Sequence, residues 1–281
     1  MDSVILLGCK GGPAIRPGSQ MPTASLVQLA GQTVLVDAGL GAARGVCDAG
    51  VPLTALDAIV ITHLHSDHYL ELGPLLHTAW TAGLSRAIPI HGPPGLADYW
   101  RHFCRAMAFD IDLRILDEGR PDLRALATIH EITPEVALGP LVLTTLRNDH
   151  PPIADSFALR LAGGGKSVVL SGDTAPMPQM AAFAKGADLL IHEAMLNSGV
   201  DALIAATPNG DDRLRTHILR SHTPAEEAGR IATDAGVKHL ALHHLVPDGL
   251  PGFGPQDWED AVRDSYTGPL TIGTDGTRIR L

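Results

Sequence analysis

Thr62-His63-Leu64-His65-Ser66-Asp67-His68 sets three imidazoles and a carboxylate within six residues, directly after the run Leu56-Asp57-Ala58-Ile59-Val60-Ile61. That run is short, apolar and β-branched, so it reads as a buried strand delivering its last residues to a site. His63 and His65 lie two apart, which on an extended segment turns both rings to the same side. Asp67 and His68 fall where the chain turns into a helix, with Asp67 near the helix N-terminus. Neutral imidazole and carboxylate are the ligands that borderline cations prefer, so the cluster is a ready metal-ligand set. A coincidental polar loop is the competing reading, and the position of the run at the end of a buried strand argues against it.

The run His63-x-His65-x-Asp67-His68 resembles the signature of the metallo-β-lactamase-fold hydrolases. The resemblance implies an α/β fold, a four-layer αββα sandwich with two mixed β-sheets face to face and helices outside. It also implies a single domain over residues 1–281, built as an internal pseudo-repeat. No repeat is visible by eye, and no low-complexity linker divides the chain.

Composition agrees with a mixed class. Thirty glycines and 21 prolines punctuate short apolar runs, which suits many strands and loops. The net charge of −10 lacks the electrostatic footprint of a nucleic-acid binder. Residues 1–8 are acidic where a signal peptide is basic, and no apolar run is long enough to span a bilayer, so a cytoplasmic chain with no membrane partner is expected. Cys9, Cys47 and Cys104 have no metal-type spacing and read as buried thiols of a reducing compartment.

Outward from the central motif, residues 4–7 read as a strand followed by the Gly-rich loop Gly8-Cys9-Lys10-Gly11-Gly12-Pro13, which has no phosphate-cradling pattern and permits tight turns near the site. Residues 25–29 and 33–36 form a hairpin closed by Asp37-Ala38-Gly39; Asp37 is either a support for the metal ligands, as in the family, or a turn residue. Helices are expected over 40–49, 69–82 and 95–108. The aromatics of 93–109 read as core packing, with a substrate-pocket wall as the sharper alternative. Residues 126–132, 141–146, 157–161 and 167–170 read as strands of a second sheet, followed by strands at 188–191 and 240–242. Between the last two, Thr223 is placed as the N-cap of a helix reaching about residue 234, with Glu226 as its capping-box carboxylate.

The remaining site residues come through the resemblance. It makes His150, held extended by Pro151, the third imidazole beside His63 and His65 around one cation. Asp67, His68 and His244 would hold a second, with His243 as the fallback for His244, and Asp173 would bridge the two. Asp149 would orient one of the histidines. The implied cofactor is two divalent cations, zinc by default, with manganese or iron also compatible. Such a pair, at roughly 3.5–4 Å, shares a hydroxide near neutral pH and stabilises charge on substrate oxygens; Asp67 would also orient that hydroxide or accept its proton.

The second cation takes Asp67 where a β-lactamase uses a different ligand, and the closer likeness is to the ribonuclease Z and arylsulfatase-like branch. There, residues matching Glu193 and His222 pair near the leaving group, so His222 would donate a proton to the departing oxygen; capping its helix is the bland alternative. Only 22 residues separate His150 from Asp173, too few for a tRNA-gripping arm beside two strands. The expected substrate is therefore a small ester of the phosphodiester or aryl sulfate type. A lactone or another C–O or C–N bond is the alternative; tRNA 3′ processing and a non-catalytic regulator on this fold are less favoured. A homodimer is compatible with these readings.

Overall fold

The computed structural model describes residues 2–207 and 211–281. In the first half, β1 (Ser3–Gly8), β2 (Ala24–Leu29) and β3 (Gln32–Val36) form an antiparallel meander. β4 (Ala58–Val60), β5 (Ile88–Gly92) and β6 (Ala127–Glu131) then add in parallel. Parallel neighbours need crossovers, supplied here by α1 (Ala42–Asp48), α2 (Ser66–Tyr69) with α3 (Leu72–Thr81), and α4 (Leu96–Ala106) with α5 (Ala108–Glu118).

The second half repeats the plan. β7 (Glu135–Leu138), β8 (Leu141–Arg147), β9 (Phe157–Gly163) and β10 (Lys166–Leu170) are antiparallel. β11 (Leu189–Met195), β12 (Leu240–Val246) and β13 (Leu270–Ile272) follow in parallel. Their crossovers hold α6 (Pro178–Phe183), then α7 (Val200–Ala205), α8 (Asp212–Ser221) and α9 (Ala225–Ala235), then α10 (Pro255–Arg263). β14 (Thr277–Arg280) returns to pair with β1, so the sheets are ordered β14-β1-β2-β3-β4-β5-β6 and β13-β12-β11-β10-β9-β8-β7.

Alternation along the strands assigns the layers. Val4 and Leu6 of β1, Val34 and Val60 meet Leu143, Leu159, Val168 and Ile191 of the other sheet in one buried cluster. Ile5 and Leu7 point the other way, to Leu75, Trp80, Leu96 and Ile111 on the covering helices. On the far side, Val169, Leu190 and Leu242 pack against Met180, Ala232 and Trp258. Strands covered on both faces explain the near-continuous apolar runs. The result is the four-layer sandwich of two mixed sheets.

Several local expectations change. Residues 127–131 belong to the first sheet, because the α4–α5 crossover returns the chain beside β5 in parallel register, Ile90 against Ile129. The helix expected over 95–108 is two helices, and α5 ends on Gly119 in a left-handed conformation. Trp100 and Phe103 stack at 5.8 Å and belong to the outer core, whereas Phe109 is exposed, and none of the three lines the site cleft. Thr223 does not cap α9; the cap position is Pro224, and the Thr223 hydroxyl donates to the Thr174 carbonyl at 2.7 Å. Cys9 and Cys104 are buried, but Cys47 is exposed on α1. Among the described residues, no helix is long and apolar enough to cross a membrane.

Candidate metal centre

Carboxyl ends of strands from both sheets converge on one edge of the sandwich. The chain after β4 brings His63, His65, Asp67 and His68; the turn after β8 brings His150; the turn after β10 brings Asp173; β12 itself brings His244. Gly172 makes the Asp173 turn possible, at φ +58° with the Phe157 carbonyl 2.6 Å from where a Cβ would sit. His244 is a bulged residue: β11 pairs Glu193 with His243 and Ala194 with Leu245, skipping it, and its φ of 48° turns the ring inward. His243 points elsewhere, its Nε2 donating to the Gly8 carbonyl at 2.8 Å.

The side chains fall into two groups around Asp173. His65 Nδ1 lies 3.1 Å from His63 Nε2 and 3.0 Å from His150 Nε2, and Asp173 Oδ2 is 3.7 and 3.9 Å from those two Nε2 atoms. Asp67 Oδ2 lies 3.6 Å from His68 Nε2 and 3.3 Å from His244 Nε2. Asp173 Oδ2 stands 3.3 and 3.1 Å from the same two nitrogens. In each group the candidate ligand atoms lie within 4.8 Å of one another, close enough to surround a cation.

Hydrogen bonds aim these groups. His150 Nδ1 donates to the Ser221 carbonyl at 2.9 Å, which leaves its Nε2 lone pair for the centre. Asp37, at φ 62°, accepts from His68 Nδ1 at 2.8 Å and from the Thr62 amide at 2.8 Å, so it is both a turn residue and the group that orients His68. The Gly12 amide donates to Asp67 Oδ2 at 2.9 Å. Asp149 is exposed and its carboxylate bonds no histidine among the described residues, so the orienting role expected of it falls to the Ser221 carbonyl.

The donor set fits divalent cations. His68 Nε2, which faces the centre, is buried with no hydrogen-bond partner, an arrangement that costs free energy unless something else satisfies it. Burial and neighbouring imidazoles hold His63 well below the usual range and His65 down at about 4, so the rings that meet across 3.1 Å are neutral, the form in which imidazole binds a cation. On the other side, burial pushes His244 down but the Asp173 and Asp67 carboxylates outweigh it, raising the ring to about 10. Burial likewise opposes the charge on Asp67 and Asp173, yet the His68 and His244 rings keep both carboxyls below the ordinary range.

Beside this centre, His222 Nδ1 lies 3.2 Å from the Glu193 carboxylate, which also accepts from the amides of Thr174 and Thr223 at 3.0 and 3.1 Å. The His222 ring stacks on His244 with centroids 5.3 Å apart. A cleft of about 320 Å³ opens over the centre, between the 10–16 loop and helices α7 and α8. Two of its residues carried no sequence signal: Lys10, buried within the Gly-rich loop, and His217 on α8, whose ring is 5.8 Å from that of His65. The amphipathic spacing of α8 would have placed His217 on a helix, but only the tertiary fold sets that helix over the metal residues.

Residues 32–245 match the beta-lactamase superfamily domain. The Ribonuclease Z of Mycolicibacterium gilvum (strain PYR-GCK) is 32% identical over 286 residues, covering 100% of this chain and 96% of that protein. The Ribonuclease Z of Mycobacterium bovis (strain BCG / Pasteur 1173P2) is also 32% identical, covering 100% and 99%. Among solved structures, the metallo-beta-lactamase fold protein YhfI from Bacillus subtilis superposes with a TM-score of 0.71 at 25% identity, covering 99% of this chain and 98% of that one. The human short-form tRNase Z gives 0.69 at 21% identity with the same coverage, a likeness of fold.

The chain belongs to the metallo-β-lactamase-fold hydrolases, as the domain match and the paired sheets require. Within them it lies on the ribonuclease Z branch, to which full-length relatives above 30% identity tie it.

Proposed function

We propose that the protein is a dinuclear metal-dependent hydrolase of a small phosphodiester, with an aryl sulfate as the neighbouring substrate class. The observation that carries this reading is Asp173 Oδ2, which stands within 3.9 Å of imidazole nitrogens of both ligand groups. His63, His65 and His150 would hold one cation and Asp67, His68 and His244 the other, with Asp173 in reach of both groups. Zinc suits the nitrogen-rich set. A divalent pair supplies charge stabilisation at the substrate's oxygens and a water acidic enough to attack near neutral pH.

The chain's own residues do the rest. Gly12 fixes the Asp67 carboxylate, which orients the attacking water. Glu193 takes the hydrogen bond of His222 Nδ1, so Nε2 is the atom that hands a proton to the departing oxygen as its bond to phosphorus breaks. The experiment is turnover of bis(p-nitrophenyl) phosphate and p-nitrophenyl sulfate by the metal-loaded protein. Release of nitrophenol from the diester supports the reading. Release from neither, with N-acyl homoserine lactones opened instead, replaces it with the lactonase alternative.

The curated relatives favour a second reading, cleavage of a tRNA precursor. Two features favour the small substrate: the chain's charge of −10, which a polyanion avoids, and a cleft of about 320 Å³ with an apolar wall. Specific cleavage of a precursor tRNA at its 3′ end would reverse that preference.

A further inference from the structure

Two cations in the cleft have no part in the chemistry above. Lys10 is buried, and its ammonium donates to the carbonyls of Gly11 at 2.6 Å and Gly12 at 3.0 Å. An ammonium has three N–H donors, so one remains. Arg16, half-buried on the same loop, donates from Nη2 to the Thr207 hydroxyl at 3.2 Å, which leaves most of its five donors. Neither is within ion-pair distance of a carboxylate among the described residues. Burial, and then the charge of Arg16, push the Lys10 ammonium down to about 8 against the pull of the Asp67 and Asp248 carboxylates.

Across the same cleft the lining changes character. Leu203 of α7 and Leu214 and Ile218 of α8 face it, and Val246 continues the apolar surface at the end of β12. One wall therefore offers unpaired positive charge and the other hydrocarbon, with the metal residues on the floor.

We propose that the cleft selects an amphipathic organic phosphate, its anionic oxygens on Lys10 and Arg16 and its apolar group against α7 and α8. This rests on reading the chain as a phosphoester hydrolase, and it adds the substrate class and the residues that choose it. Guanidinium and ammonium bind phosphate oxygens through charge-assisted bonds that water competes with poorly in a half-closed site. The volume suits a group of about the size of a benzene ring beside the phosphate.

The test is binding of phosphonates, which the enzyme cannot hydrolyse. Phenylphosphonate and methylphosphonate are titrated calorimetrically into the metal-loaded protein and into Arg16→Ala, Lys10→Met and Leu214→Asn, each checked for equal metal content. The expected result is phenylphosphonate about tenfold tighter than methylphosphonate in the wild type, both weakened about tenfold in Arg16→Ala, and the phenyl preference lost in Leu214→Asn. Lys10→Met also removes two loop bonds, so Arg16→Ala decides the matter if that variant misfolds. Wild-type affinity in Arg16→Ala, or equal affinity for the two phosphonates in the wild type, overturns the proposal. Because no turnover is read, the two readings fail separately: phosphonate binding that follows the pattern in a protein inactive on all esters would keep the cleft's ligand preference and remove the claim that the ligand is a substrate.

Discussion

Asp173 is the residue on which both groups of imidazoles depend. Removing its carboxylate takes away the anion that reaches both groups, leaving His63 and His150 without it and His68 and His244 with Asp67 alone between them. Asp173→Ala is expected to lose most of its bound metal by elemental analysis; full retention would refute the bridging role. His222 is a different kind of residue. It stands within 4.8 Å of ligand atoms of Asp173 and His244, so a ligand role competes with the proton-donor role. His222→Ala is expected to keep its metal and lose about 10²–10⁴ in kcat, most with poor leaving groups, the range for loss of a general acid. Metal loss would make it a ligand, and unchanged kinetics would leave it the C-cap residue of α8.

At the level of elements, the site is made by what strands do at their carboxyl ends. Gly172→Ala tests this without touching a ligand. The left-handed conformation alone costs about 1–2 kcal/mol for a residue with a Cβ, and the Phe157 carbonyl blocks the space. A lowered melting temperature with reduced metal content is expected; wild-type values for both would show that the turn tolerates the change. The same elements explain what the sequence discloses. His63, His65, Asp67 and His68 are readable because one strand end carries them in six residues, whereas His150, Asp173 and His244 are scattered singly along the chain and come only through the family resemblance. The membership of residues 127–131 in the first sheet is not readable, since an apolar run does not name its neighbour. The cleft wall is hidden for a related reason: α7 is a short apolar helix and α8 a polar-rich one, and the importance of both lies in what they stand over.

Across the whole molecule, cation uptake is coupled to protons. The carboxylates around His68 and His244 raise both rings, His244 to about 10, so near neutral pH each holds a proton that an incoming cation must displace. The sign follows: raising the pH removes the competitor, so apparent metal affinity is expected to climb about tenfold per pH unit for each proton released, from pH 6 to 8. A competition titration with a chelator whose own pH dependence is known measures this, and a flat profile would contradict the assigned ligands. Cations held between the ends of β4, β8, β10 and β12 would bind only the folded chain, so removing them is expected to lower the melting temperature.

The central claim is that one carboxylate and six further side chains hold two cations. Elemental analysis of the purified protein, repeated after reconstitution with zinc, tests it most directly. About two divalent ions per chain is the predicted result; one ion or none after reconstitution would contradict it.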